Sequence, residues 1–278
     1  MENNYLVPGK ICEAWIENGH KKGTSPSGKL LLLGVLGGLF IGLGGHGNIV
    51  ANSFMAGIDP GLARLAGAAV FPVGLMLVIL AGAELFTGNN LMTLAVANHR
   101  ISLPQLLRNW FVVYIGNFVG ATLLALLLTK TNIYGSEAML GKATAIASGK
   151  LGLTFYQAVI SGIFCNILVV LACWMQAGAK DMAGKVFTIW FPVMLFVFSG
   201  FEHSIANMFF LPLAMFLGAD ITWSQIWAAN LIPVTIGNIL GGAVFIPFIY
   251  HYVYAMKQAE IKTIVPNIKK AITFRHAR

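Results

Sequence analysis

Gly82-Ala83-Glu84-Leu85-Phe86-Thr87-Gly88-Asn89 interrupts an apolar run, and 118 positions later Gly200-Phe201-Glu202-His203-Ser204-Ile205-Ala206-Asn207 interrupts another in the same register. Both runs open on Phe-Pro, at Phe71-Pro72 and Phe191-Pro192. A second echo follows at a spacing of 121 positions. Asn109, Ile115-Gly116-Asn117 and Gly120 return as Asn230, Ile236-Gly237-Asn238 and Gly241. Polar breaks at corresponding places in two hydrophobic halves point to a transport site near the bilayer midplane.

The rest of the chain agrees with a membrane setting. It is 57% hydrophobic and 10% charged, whereas a soluble domain carries about 25% charged residues. Apolar stretches long enough to cross a hydrocarbon core read at 29–56, 62–97, 105–129, 152–177, 184–217 and 226–255, a span needing about 20 residues. No short apolar segment with a small-residue cleavage site precedes Lys29, so no signal peptide is expected.

Six crossings put both termini on one side. The tails and the loops after spans two and four hold 14 Lys and Arg residues against 4 on the other side (Arg64, Lys130, Lys142 and Lys150). The excess of positive charge places the termini in the cytoplasm. The net charge of +8 is accounted for by these membrane-flanking residues, which argues against a nucleic-acid partner. Cys12, Cys165 and Cys173 have no metal-ligand spacing, and neither a metal site, a disulfide nor a cofactor is expected.

An odd number of crossings per repeat forces the second copy to run in the opposite sense, giving an all-α membrane protein of two inverted three-helix repeats with broken second and fifth helices. The expected division is an N-terminal amphipathic segment 1–28, a channel domain 29–256 with repeats 29–130 and 151–256, and a basic cytoplasmic tail 257–278. The Gly-, Ser- and Ala-rich stretch 130–151 is expected to be the linker between halves. Residues 10–22 place Ile11, Cys12, Trp15 and Ile16 on one helical face, which suits a helix on the lipid surface or one packed on the bundle. Gly34, Gly38, Gly42 and Gly45, with Gly116, Gly120, Gly237 and Gly241, suit close helix packing.

A helix that unwinds at membrane depth exposes amides and carbonyls, so such segments line cavities. The restarting half-helices aim positive ends at the midplane, a setting for a small anion. Thr87 and Asn89, then Ser204 and Asn207, are expected to cap those half-helices. Glu84 and Glu202 are expected to accept backbone amides and hold the loops, with a proton relay as the alternative. His203 has no counterpart in the first half, where Leu85 stands, and so is read as functional. In a dry site a neutral imidazole donating a hydrogen bond to a passing anion is expected. Phe71, Leu75, Phe86 and Phe196 could form apolar constrictions.

The strings Ala81-Gly-Ala-Glu-Leu-Phe-Thr-Gly-Asn89 and Ser199-Gly-Phe-Glu-His-Ser-Ile-Ala-Asn-Met208, with the paired Ile-Gly-Asn segments, resemble the formate/nitrite transporter family over residues 10–256. The resemblance implies an aquaporin-like fold, a homopentamer in the cytoplasmic membrane and one pore per protomer. It also implies a monovalent weak-acid anion as substrate, hydrosulfide first, then formate, with nitrite and short carboxylates behind. By motif, His203 is the central histidine, Thr87 the threonine of the flexible break, Lys150 the lysine before span four and Asn166 the polar residue within it. Phe71, Leu75 and Phe196 map to an outer constriction, and Leu85, Phe86 and Val169 to an inner one. Passage of the anion itself and transient protonation through His203 both stay open. Aquaporins proper carry Asn-Pro-Ala at each break, which this chain lacks, and an enzyme needs a catalytic cluster that the isolated His46 does not supply.

Overall fold

The computed structural model describes residues 5–55 and 57–256; the expected basic tail at 257–278 lies outside them. We number the helices α1 (Pro8–Thr24), α2 (Ser27–Met55), α3 (Pro60–Gly82), α4 (86–97), α5 (Leu103–Leu128), α6 (Glu137–Leu151), α7 (Phe155–Gly178), α8 (Met182–Ser199), α9 (Ser204–Phe216) and α10 (Trp223–Ala255). Six of these, α2, α3, α5, α7, α8 and α10, are long and apolar enough to cross a membrane. The protein is all-α, with six membrane-capable helices in an inverted repeat.

Polar caps mark where the apolar runs begin. Ser102 with Gln105, Thr154 with Gln157 and Thr222 with Gln225 form capping boxes at the starts of α5, α7 and α10, and Asp181 caps α8. Each satisfies amide donors that the first helical turn leaves free.

The two breaks fall at 83–85 and 201–203, where α3 and α8 stop and α4 and α9 restart. Each preceding helix ends on a glycine in the left-handed region, Gly82 at φ 93° and Gly200 at φ 79°. A side chain there would cost about 1–2 kcal/mol, so these glycines turn the chain out of the helix. Before the first break α3 has already widened into π turns over Leu77–Gly82, a deformation common at functional sites.

The stretch 130–151 is not a plain linker. Residues Glu137–Leu151 form α6, started by Ser136, whose side chain accepts from the Met139 amide. Ala138, Ala143, Ala145 and Ala147 supply the helix propensity that outweighs the glycines and serines of this stretch.

The glycine stripes pack helices as expected. A Cβ on Gly120 would collide with the Val35 carbonyl, and one on Gly241 with the Ile163 carbonyl, so α5 lies against α2 and α10 against α7 at backbone contact. Backbone has no rotamer to yield. Gly120→Leu is therefore expected to lower stability in detergent by about 1–3 kcal/mol or more. Gly141→Leu, where a Cβ would meet nothing within 4 Å, is expected to leave the thermal melt unchanged. Equal melts for the two variants would refute this packing argument.

Helix α1 lies on the bundle. Its buried side is Ile11, Cys12, Trp15, Gly19 and Gly23. Gly19 and Gly23 let the backbone approach Ala95 and Ile101, and the Trp15 indole donates to the Cys173 carbonyl at 3.3 Å.

Candidate functional site

Each break is held by the same four side chains, repeated. Glu84 accepts from Lys22 Nζ at 2.7 Å and from Asn89 Nδ2 at 2.7 Å. Asn89 Nδ2 also donates to Asn109 Oδ1 at 2.9 Å, and Asn109 Nδ2 to the Lys22 carbonyl at 3.2 Å. In the second half, Glu202 accepts from Lys150 Nζ at 2.9 Å and Asn207 Nδ2 at 2.6 Å. Asn207 Nδ2 donates to Asn230 Oδ1 at 2.7 Å, and Asn230 Nδ2 to the Lys150 carbonyl at 3.2 Å. Helices α1 and α6 thus play matching parts, each delivering a lysine to a break.

The expected roles of the polar residues change accordingly. Glu84 and Glu202 accept from lysine and asparagine side chains rather than from backbone amides, because a carboxylate at this depth requires a cation as well as donors. Asn89 and Asn207 are committed to the glutamates and do not cap their helices. Those amides are satisfied from neighbouring helices: Asn117 Oδ1 accepts the Phe86 N–H and Asn238 Oδ1 the Ser204 N–H, both at 2.9 Å. The same side chains donate back, Asn117 to the Gly34 and Glu84 carbonyls and Asn238 to those of Gly162 and Glu202. One amide group therefore ties three chain segments together at each break.

At the centre, His203 Nε2 and Thr87 Oγ1 lie 2.8 Å apart, so the two restarting helices meet side chain to side chain. His203 is also the cap of α9, its Nδ1 accepting the Ala206 N–H at 3.1 Å. A ring nitrogen that accepts carries no proton, so in the neutral ring the hydrogen sits on Nε2 and is donated to Thr87. The remaining hydrogen of this pair is then the one on the Thr87 hydroxyl, which is fully buried. Asn166 Nδ2 lies within hydrogen-bond distance of the Thr87 carbonyl, Asn90 Oδ1 and the Asn238 carbonyl. That linkage fixes the Thr87 loop against α7 and α10.

Two cavities flank this centre, and no residue lines both. The one on the α6 face has a volume of about 540 Å³ and reaches Phe71, Phe196, Lys150, Glu202 and His203. The one on the α1 face, about 360 Å³, reaches Leu75, Leu85, Lys22 and Asn89. Phe71 meets Phe196 edge to face at 5.7 Å, and Phe196 stacks on the His203 ring at 5.7 Å. Leu75, expected with the outer pair, lines the α1-side cavity. Phe86 lines neither cavity; its ring packs edge to face on Tyr114 and Trp110. Val169 is buried in α7 and also lines neither.

Lys22 is the residue that sequence reasoning misses, since along the chain it looks like one more membrane-flanking lysine. Its signal is a third echo: Lys22 and Lys150 are 128 positions apart, as are Gly34 and Gly162. His46, isolated in its span, pairs through Nδ1 with the Tyr134 hydroxyl at 2.9 Å.

The profile of the formate/nitrite transporter family matches residues 9–252. The chain is 46% identical over 265 residues to an uncharacterised transporter of Bacillus subtilis, covering 93% of this chain and 97% of that one. It is 42% identical to a probable formate transporter of Methanothermobacter thermautotrophicus, covering 91% and 99%. A solved pentameric formate channel with formate bound superposes with a TM-score of 0.74 at 36% identity, covering 83% of this chain and 98% of that one.

Proposed function

The chain belongs to the formate/nitrite transporter family, and from that premise we propose that it conducts formate and other small monovalent weak-acid anions through a pore in each protomer. The protein is a channel or transporter rather than an enzyme. Formate moves ahead of hydrosulfide because the relatives at 42% and 36% identity are named for formate. The protomers assemble as a homopentamer in the cytoplasmic membrane, with the α1 face inside, a sidedness that rests on the excess of Lys and Arg flanking that face.

The observation that carries this reading is the Thr87–His203 contact between two cavities. An unpaired anion crossing a dry septum loses hydration at a cost of several kcal/mol after relaxation. Lys150 and Lys22 offset part of this on the two sides of the septum, each held by a glutamate. At the centre the Thr87 hydroxyl, polarised by His203 Nε2–H, donates to the anion. His203 in this tautomer is a hydrogen-bond donor and not a net acid, since giving up its only N–H proton would leave an imidazolate, far more basic than formate. If the solute crosses protonated, the proton comes with it from the cavity water.

The test is flux of formate, hydrosulfide, nitrite, chloride and glycerol in proteoliposomes, with Lys150→Glu and His203→Ala beside the unmodified protein. Rapid weak-acid flux, slowed in both variants, with glycerol excluded, is the expected result. Glycerol permeation, or flux indifferent to both substitutions, would overturn the reading.

A further inference from the structure

The α6-side cavity carries two cations besides Lys150. Arg64, on α3, and Lys142, on α6, line it together with Lys150 and Glu202. Lys150 already has Glu202 as its partner. Among the described residues neither Arg64 nor Lys142 forms an ion pair with any acid. The acids on their own elements are elsewhere: Asp59 caps α3 through the Leu62 amide and Glu137 lies in the first turn of α6, and neither lines the cavity.

The geometry holds Arg64 in place. Its guanidinium lies over the Phe198 ring, 5.7 Å from the centroid, and its Nη2 is 3.0 Å from where a Cβ on Gly200 would stand. The glycine that turns the chain into the second break therefore also makes room for this cation. Lys142 lines the same cavity, where burial first, then the charge of Arg64, pushes its ammonium below the ordinary lysine range. Two cations line one cavity and repel each other. A monovalent anion neutralises only one of them, whereas a single dianion relieves both charges at once.

We propose that Arg64 and Lys142 form a binding site for a small doubly charged oxyanion at the α6-side mouth, where it blocks conduction from that side. Two charges make the dehydration cost at the Phe71–Phe196 septum prohibitive, so the dianion binds without passing. The blocking effect rests on the channel reading above; the binding does not.

Sulfate is the probe. Equilibrium dialysis of radiolabelled sulfate against the purified full-length protein at fixed ionic strength is expected to show one saturable site per protomer. Arg64→Gln and Lys142→Gln are each expected to weaken it about tenfold, the loss of one charge-assisted contact. Sulfate on the α6 side of vesicles of known orientation should slow formate flux with the same midpoint. Sulfate on the α1 side, or chloride at equal ionic strength, should not. Absence of saturable binding, binding indifferent to both substitutions, or inhibition reproduced by chloride would overturn the site. Sulfate bound through Arg64 and Lys142 in a protein that passes no formate would keep the site and overturn the channel reading instead.

Discussion

Glu202→Leu is expected to destabilise the protein by about 3–5 kcal/mol, because it leaves the Lys150 ammonium at depth with no counter-charge. The Lys150 and Glu202 side chains are only 15% and 5% exposed, so water cannot take the place of the carboxylate. Asn207 and Asn230 lose an acceptor in the same step, and the break at 201–203 loses its anchor. Thermal melting in detergent and the pentamer fraction on size exclusion read the effect. The companion variant, Lys150→Met with Glu202→Gln, should recover most of the loss, since it removes the charge while an amide oxygen still accepts from Asn207. The mirrored Glu84→Leu should cost less, because the Lys22–Glu84 pair is more exposed, at 17% and 11%. A Glu202→Leu melt within about 1 kcal/mol of the parent, the range of an exposed pair, would mean that the ion pair does not hold the break.

Thr87→Val is expected to cut formate flux by about 10–100-fold. The substitution is close to isosteric and deletes the hydroxyl that pairs with His203 Nε2. A hydrogen bond to a charged group contributes about 1.5–3 kcal/mol, and each 1.36 kcal/mol in a barrier is tenfold in rate. Thr87→Ser keeps the hydroxyl and should retain most of the flux. The Val variant also leaves the His203 N–H without its acceptor, so a modest drop in melting temperature is expected for it. The contrast between Ser and Val at matched folded fraction separates conduction from stability. Equal flux in both would remove Thr87 from the mechanism.

Part of this site is legible in the order of residues along the chain. The breaks at 83–85 and 201–203 are visible because each places a carboxylate and an asparagine inside an apolar run, a cost the chain tolerates only at a functional place. Lys150 and Asn166 follow from motif, and the packing of Gly120 and Gly241 from spacing along a helix face. The role of Asn117 is not legible there, although its echo with Asn238 is. An asparagine that caps a helix 31 residues earlier in the chain leaves no local signature, since capping rules describe side chains acting on their own first turn. The aim of Phe86 at Tyr114 is equally hidden, because an aromatic residue at a break packs or gates according to which neighbour lies within reach.

By itself the sequence determined the class of the protein, the number of crossings, the inverted repeat and the places where two helices break, since all of these depend on hydropathy and periodicity along one chain. The tertiary structure decided who satisfies whom. Lys22 belongs to Glu84, His203 turns its donor to Thr87, and α6 stands opposite α1 as a second lysine-bearing arm. These pairings join residues tens of positions or more apart in the chain, and at membrane depth a buried charge or amide takes whichever partner the fold brings within hydrogen-bond reach.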